Sequence, residues 1–449
     1  MSQGPRATSL RRLPHIVAWT VLPLLAVSII AIRYHRTWYF YDEWGLIRRI
    51  INTRESFAGH VELYVGHLWL TNHLLYEIQV FWFGTSNHLF IWAMFCASIV
   101  LLVYAVSFCL LRLGVPSIVA LAGGLVVGLF GPGGGLVSFE IDVGTILATA
   151  LIFLAAAIVS RESPETSGEV VIVTLVLLLA VVSDSSVTLI GLLPIGALLI
   201  VQWSRRHASI ALLPTLLVGL WTLTQTLPRF SAPTIAGQVN FGFKLLFGTA
   251  GGLVHGGPVA GGVMLALAIV VITIGWRRGA LGRRVKASLV GALASVAVLC
   301  ASLAWSRSLY PLTPGIRYFA EVAVFLLVGL LPALWSSVAS LWDARRRGLP
   351  AAAALALLAV LLFNLGPLLQ NEVTIESWAS SVRQEFPQAV WIAEFGCPNG
   401  QAAKETSRPI GSLSPQITVA MIRDLRHLGL FTSIAPSPPS ATIISQGCP

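Results

Sequence analysis

The sequence predicts an all-α polytopic membrane protein, and three observations support that prediction. Of the 449 residues, 56% are hydrophobic and only 11% are charged, whereas roughly a quarter of the residues in a soluble domain are charged. Apolar runs long enough to cross about 30 Å of hydrocarbon recur along the chain. The short connectors on one predicted face all carry arginine or lysine, which is the positive-inside pattern.

The apolar runs predict about eleven transmembrane helices. They cover residues 14–32, 88–111, 116–130, 141–160, 170–183, 187–201, 209–225, 259–275, 287–304, 318–335 and 350–366. The basic connectors place the amino terminus in the cytoplasm and the carboxyl terminus outside it. We expect a multi-pass protein of the plasma (inner) membrane. Its net charge of +10 then reflects topology and does not indicate nucleic-acid binding.

The chain is predicted to have two parts, a transmembrane module (1–366) and a small extracytoplasmic tail domain (367–449). Cys397 and Cys448 lie in the tail, where an oxidising compartment permits a disulfide that would staple the domain. The other three cysteines lie within predicted spans, and we expect them to be packing residues. Near the end of the tail, "APSPPSA" is typical of an extended linker.

The first outer loop, 33–87, contains two predicted interfacial helices. In "DEWGLIRRII", Leu46 and Ile50 fall on one helical face and Arg48 on the other, so this segment is amphipathic. A second apolar and aromatic helix, "HLWLTNHLLYEIQVFWF", follows it. We expect both helices to lie in the membrane interface across the outer end of the bundle.

The adjacent carboxylates Asp42 and Glu43, at the start of the first of these helices, allow two interpretations. In the first, Asp42 is a helix N-cap that accepts hydrogen bonds from backbone N–H groups, and Glu43 complements the helix dipole. In the second, the pair supplies a general base, which deprotonates an acceptor hydroxyl while a lipid-linked donor is held alongside. The residues themselves leave both interpretations open.

The surroundings of this pair resemble those in the GT-C glycosyltransferases. A basic cytoplasmic start and one span precede "YDEW", which lies in a long outer loop with interfacial helices. "YDEW" is similar to the acidic pair of the protein mannosyltransferases and of actinobacterial arabinosyl- and mannosyltransferase-like proteins, in which the first-loop acid is the catalytic base. The resemblance implies a GT-C-type fold. It also implies sugar transfer from a polyprenyl-phosphate donor to an extracytoplasmic glycan, lipid or protein acceptor in cell-envelope and cell-wall biosynthesis, with Asp42 as general base and Glu43 assisting.

Two further stretches fit this resemblance. "FEIDVG" supplies Glu140 and Asp142, which correspond to a second acid near the donor or the acceptor. "PGIRYF" supplies Arg317 and Tyr318, which open a late span from outside. Arg317 would meet the lipid phosphate there, because the planar fork of arginine binds phosphate oxygens in a bidentate manner.

Three other residues at the predicted outer face are weaker candidates. His67 could bind phosphate or sugar, although a structural histidine at the interface is the competing interpretation. His255 lies in the glycine-rich "GGLVHGGPV" of the outer loop 226–258 and could approach a phosphate or sugar, or it could belong to a simple loop between spans. Asp184 is expected to cap a helix, and it is also placed to line the same cavity.

The chain departs from the family pattern in two respects. It has no clear Asp-x-Asp metal motif, and its tail resembles no domain that would identify the acceptor. His67 and His73 would be about 120° apart on one helix, so the histidines of the first loop do not converge on a metal. No metal site and no cofactor are therefore assigned. A divalent metal stays open, as do the sugar and the linkage.

Two alternatives from other classes also stay open. A transporter or flippase of lipid-linked sugars would be expected to keep ionisable residues near the membrane midplane, and the interiors of the predicted spans contain essentially none. A non-catalytic scaffold in envelope assembly would not need the Asp42–Glu43 pair. The expected partners are a polyprenyl-phosphate-linked sugar donor, the acceptor and membrane lipids.

Overall fold

The computed structural model describes most of the chain between residues 19 and 398 and parts of the tail. The described ranges are 19–24, 27–28, 42–53, 68–84, 88–129, 142–161, 165–224, 234–253, 256–308, 318–341, 348–398, 422–423, 426–427, 436–441 and 443–444. Most of these residues are helical, which confirms the all-α prediction. The helices are α1 (Asp42–Thr53), α2 (Leu70–Ile78, continued by a π-helical turn at Gln79–Phe83), α3 (Leu89–Arg112), α4 (Ser117–Gly128), α5 (Val143–Val159), α6 (Ser167–Ser183), α7 (Ser185–Gln202), α8 (Arg205–Leu223), α9 (Ile235–Gly252), α10 (Pro258–Arg277), α11 (Arg283–Arg307), α12 (Tyr318–Leu341) and α13 (Gly348–Phe395).

The described helices have the lengths and surfaces of a membrane protein. Five of them, α3, α7, α10, α11 and α12, are long and apolar enough to cross a membrane. Large apolar side chains remain exposed on their outer faces and on α8, for example Leu217 (60% exposed), Val263 (56%) and Leu267 (62%). An apolar exterior of this kind requires lipid around it. A helix also lies at each predicted span from 88–111 onward, and the total of eleven spans stays a prediction.

The helices pack in the order α4, α3, α5, α7, α11, α12 and α10, each against the next. Helices α6 and α8 flank α7, and α13 packs on α4. Glycines permit the close contacts: a Cβ on Gly291 of α11 would lie 2.4 Å from Cα of Pro194 in α7, and one on Gly124 of α4 would lie 2.5 Å from the Val103 carbonyl oxygen. Small residues at helix contacts are typical of membrane proteins, because close van der Waals packing drives association where lipid is as apolar as the side chains.

Connectors that the sequence predicts on the cytoplasmic face meet at one end of the bundle, which we call the basic end (113–116, 160–161, 165–166, 203–204 and 278–282). Arg284 donates to the carbonyl oxygen of Ser160 at 3.2 Å, and the Ser204 N–H donates to the Glu165 carboxylate at 2.9 Å. Trp19, in the first predicted span, donates its indole N–H to Ser117 Oγ at this end, at 2.8 Å. The opposite end contains the α6–α7 turn, the start of α5 and helix α2, and we call it the acidic end.

Helix α9 is a feature that the sequence does not predict, because its residues fall within the expected outer loop 226–258. Thr234 caps its start by accepting a hydrogen bond from the Gly237 N–H at 3.2 Å. The helix packs against α10, α11 and α12, with Phe241 and Leu245 buried, and the Cβ of Ala304 would be 3.7 Å from a Cβ built on Gly242. Its glycines lower helix propensity, and tertiary packing overrides that preference.

Helix α13 continues for 48 residues through position 366, where the sequence places the start of the tail. At 1.5 Å per residue it is about 72 Å long, more than twice the thickness of the hydrocarbon layer. Tail residues dock on its carboxyl half, where the Ser437 N–H donates to the Pro387 carbonyl oxygen at 3.1 Å and the Ser440 N–H to Gln388 Oε1 at 2.8 Å. Residues 436–441, within the stretch "APSPPSA" that was expected to be an extended linker, therefore contact α13.

Candidate functional site at the acidic end

Helix α1 carries the predicted acidic pair, and its apolar face explains how it is held. The helix begins at Asp42, and Leu46, Ile47 and Ile50 are all buried. Glu43 precedes Leu46 and Ile47 by three and four residues, so it shares their face of the helix. Only 1% of Glu43 is exposed. The amphipathic pattern therefore turns one carboxylate of the pair into the protein.

A tyrosine from α2 holds the buried carboxylate. The hydroxyl of Tyr76 donates a hydrogen bond to Oε1 of Glu43, and Tyr76 has no exposed surface. Burying a carboxylate is costly unless it is hydrogen-bonded. The contact therefore ties α1 to α2 and fixes the acidic segment on the bundle.

Hydrogen bonds join helix α2 and the residues just before it to the segment between α6 and α7. The Leu68 N–H donates to Ser185 Oγ at 3.1 Å, and the hydroxyl oxygens of Thr71 and Ser183 are 2.9 Å apart. The buried residues of α2 are Asn72, His73 and Tyr76. Their spacing of three and four places them on one face, so α2 presents a polar face to the acidic end of the bundle.

Asp184 forms the junction between α6 and α7. Its Oδ1 accepts hydrogen bonds from the N–H groups of Ser186 at 3.0 Å and Val187 at 3.4 Å, which confirms the predicted helix cap. Its Oδ2 accepts from the hydroxyl of Thr145, in the first turn of α5, at 2.7 Å. One buried acid therefore joins the starts of α5 and α7.

The start of α5 approaches α2 closely. Asp142 occupies the N-cap position of α5 and is fully buried. A Cβ built on Gly144 would lie 2.6 Å from Oδ1 of Asn72 and 2.7 Å from the carbonyl oxygen of Ser183. Cβ atoms essentially never come that close to other heavy atoms, so only glycine fits at this contact.

Four ionisable residues on these elements are buried, and we call them the acidic cluster: Glu43, His73, Asp142 and Asp184. Helix α2 connects its members, because Tyr76 contacts Glu43 while Asn72, one turn earlier, lies against the start of α5. Buried ionisable groups at the membrane are costly and usually functional. Carboxylates and an imidazole can bind hydroxyl groups and transfer protons. In the described part of the chain, no three His, Cys, Asp or Glu side chains are grouped as metal ligands.

The predicted site residues that the structure describes lie in two places. Glu43 and Asp142 belong to the acidic cluster, and Asp42 is the first residue of α1. Tyr318 begins α12, whose main neighbours are α10 and α11, so a different set of helices positions it. The predicted residues that lie outside the described ranges are Glu140, His67, His255 and Arg317.

Four of the five cysteines lie in the described residues. Cys397, two residues after the end of α13, is disulfide-bonded, and its predicted partner Cys448 lies outside the described residues. The free thiols of the described chain are buried, as expected for packing residues, at Cys96, Cys109 and Cys300.

Tyr76 and Asn72 are the residues of this site that the sequence did not indicate as functional. The available signal was their spacing with His73, which puts three polar side chains on one face of an otherwise apolar and aromatic helix. Their partners come from α1 and α5, 33 residues earlier for Glu43 and 72 residues later for Gly144. Tertiary packing brings these elements together, and no local sequence pattern indicates their contact.

An apolar cavity of about 360 Å³ lies between α9, α10, α11 and α12. Its lining is almost entirely aliphatic and aromatic, with Thr273 and Cys300 as exceptions. Phe247 of α9 and Leu326 of α12 are among the lining residues. A cavity of this composition, between membrane helices, suits a hydrocarbon chain.

A scan of protein-family models and a search of curated proteins found no match to this chain.

Proposed function

We propose that this chain is a membrane glycosyltransferase of the GT-C type. It moves a sugar from a polyprenyl-phosphate donor to an extracytoplasmic glycan, lipid or protein acceptor. The observation that carries the proposal is the anchoring of the acidic pair: the helix that begins at Asp42 is tied by the buried Glu43 to the end of an apolar bundle. The phosphate and sugar of a lipid-linked donor occupy that level, because the lipid chain stays in the hydrocarbon.

In the proposed reaction, the Asp42 carboxylate accepts the proton of the acceptor hydroxyl. The acceptor oxygen forms a bond to the anomeric carbon of the sugar, and the bond from that carbon to the phosphate oxygen breaks. Polyprenyl phosphate leaves with the electron pair. Arg317 would stabilise its charge by bidentate hydrogen bonds, a task for which a fixed positive charge is suited.

The remaining candidates take supporting roles in this proposal. Glu43 holds α1 against Tyr76 and so positions Asp42, which precedes it in the chain. Asp142 and Glu140 orient hydroxyl groups of the sugar or the acceptor. His67, His255 and Tyr318 would contact the phosphate or the groups around it.

The membrane arrangement follows from the same proposal. Eleven spans would place the amino terminus and the basic end in the cytoplasm, and the acidic end outside the plasma (inner) membrane. The segregation of charge supports this orientation, since the described connectors of one end carry the arginines while the buried acids lie at the other. The apolar cavity between α9 and α12 offers space for part of the donor's lipid chain.

The proposal is tested by transfer of labelled sugar from polyprenyl-phosphate donors in membranes. Asp42→Asn removes the base, and we expect transfer to fall by about 10²-fold or more, the usual contribution of general base catalysis. Asn52→Ala is the matched control, because Asn52 is exposed on the same helix, and it should retain full transfer. Unchanged transfer by Asp42→Asn at matched expression would reduce Asp42 to a helix cap.

A further inference from the structure

A second cavity, which is polar, lies at the basic end, on the far side of the bundle from the acidic cluster. It has a volume of about 460 Å³. Three separate segments line it, namely 112–114 after α3, 201–202 at the end of α7, and 282–285 at the start of α11. Arg112, Arg283 and Arg284 are among the lining residues, and none of the lining residues is acidic. The cavity is therefore strongly positive.

Two other cations at this end have partners. Arg161 pairs with Glu169 at 3.1 Å, and the Lys286 ammonium lies 4.7 Å above the ring of Trp276. Within the described part of the chain, Arg112 and Arg283 have no carboxylate within ion-pair distance. Positive charge that converges on a cavity without a counter-charge favours an anionic ligand.

The cavity is also built to orient hydrogen-bond donors. Arg284 is half-buried and fixed by its bond to the carbonyl oxygen of Ser160, and a guanidinium has five N–H donors, so it can bind an anion as well. Gly282 is the N-cap of the 25-residue helix α11 and provides no side-chain cap. The first backbone N–H groups of a helix and its dipole both favour an anion at that position.

The position of the cavity relative to the membrane identifies the class of ligand. Arg112 is the last residue of α3 and Arg283 the first of α11, two helices that are long enough to span the bilayer, so both lie at the level of lipid head groups. Directly before the lining segments, Leu111 and Ile200 are exposed apolar side chains, Ile200 by 78%. A charged cavity bordered by an exposed apolar surface fits a head group with its acyl chains.

We propose that this cavity binds the phosphate of an anionic phospholipid. The positive-inside pattern requires basic residues in connectors, but it does not require that arginines some 170 positions apart line the same cavity. Lipids with net negative charge are enriched in the cytoplasmic leaflet, which is where the topology places the basic end. The site lies outside the proposed catalytic machinery and does not depend on the glycosyltransferase assignment.

The experiment compares purified wild type with Arg112→Gln/Arg283→Gln, and with Arg205→Gln/Arg206→Gln as a control of equal charge change. Arg205 and Arg206 are exposed at the same end and do not line the cavity. Detergent-solubilised protein is titrated with phosphatidylglycerol, phosphatidylcholine or inorganic phosphate, and the unfolding midpoint is followed. If the double variant is not folded, Arg283→Gln alone replaces it, because Arg283 is exposed.

Phosphatidylglycerol should raise the midpoint of the wild type and the control, and phosphatidylcholine should not. The variant should bind phosphatidylglycerol about tenfold more weakly or worse, since it loses two charge-assisted donors. Equal stabilisation of both double variants would overturn the proposal, as would an equal loss in both. A rise with inorganic phosphate but not with lipid would assign the cavity to a soluble phosphate compound and overturn the lipid assignment.

Discussion

Replacing Gly144 with alanine tests the contact between α2 and α5 on which the acidic cluster depends. The new Cβ would lie 2.6 Å from Oδ1 of Asn72 and 2.7 Å from the carbonyl oxygen of Ser183. The asparagine side chain can turn aside, but the carbonyl belongs to the backbone before Asp184 and cannot. The substitution must therefore displace α2 or the turn between α6 and α7.

The expected cost follows from this overlap. Overpacking of a well-packed interior typically costs about 1–3 kcal/mol, and the gain in helix propensity from glycine to alanine offsets at most about 1 kcal/mol of it. Gly196→Ala is the matched control, because Gly196 lies within α7 and its added Cβ would be 3.8 Å from the nearest atom, Cδ1 of Leu212. That distance is an ordinary contact, so we expect Gly196→Ala to be neutral or slightly stabilising.

The assay is thermal unfolding in one detergent, followed by the reaction of buried thiols with a fluorogenic maleimide. The thiols that report unfolding are Cys96, Cys109 and Cys300. We expect the midpoint of Gly144→Ala to fall below that of the wild type, while that of Gly196→Ala does not fall. If both variants unfold at the wild-type midpoint, α2 does not pack on the start of α5 and the acidic cluster is not assembled as described.

Three further predictions address other contacts. Tyr76→Phe should destabilise the protein by about 1–3 kcal/mol, because it removes a hydrogen-bond donor from a buried carboxylate. The same substitution should cost less in a Glu43→Gln background. Equal losses in both backgrounds would show that the two side chains do not interact. The hydrogen bond from the Ser204 N–H is the main cause that lowers the pKa of Glu165. The contacts of the Glu165 carboxylate therefore stabilise the fold above the ordinary carboxyl pKa, and this stabilisation is lost as pH falls through the lowered pKa. Glu165→Gln should reduce the acid sensitivity of the unfolding midpoint, and an unchanged pH profile would contradict this. Alkylation of the denatured chain should label three cysteines before reduction and five after it, because Cys397 is disulfide-bonded; a fourth label before reduction would contradict the bridge.

Much of the helical architecture was predictable because its signals are local. Apolar runs mark the membrane helices, and the positions of Leu46 and Ile50 mark the buried face of α1. Helix α9 was not predictable in the same way. Its sequence contains several glycines and polar residues, and it is helical because Phe241 and Leu245 pack against neighbouring helices.

The site was predictable only in part, for a related reason. The sequence indicates Glu43 and Asp142 as candidates and correctly predicts that Asp184 caps a helix. It does not indicate that Tyr76 pairs with Glu43, since that contact depends on how α1 packs against α2. The inward position of Glu43 likewise depends on which face of α1 is buried.

Donor turnover by purified protein in proteoliposomes is the most direct measurement of the sugar transfer that we propose. Polyprenyl-phosphate sugars are supplied with a cell-envelope extract as the acceptor source, and release of polyprenyl phosphate is followed, with leaflet exchange of the donor measured in parallel. We predict release by the wild type, and loss of release in Asp42→Asn. Intact donor that exchanges between leaflets would contradict the enzyme assignment and identify a flippase.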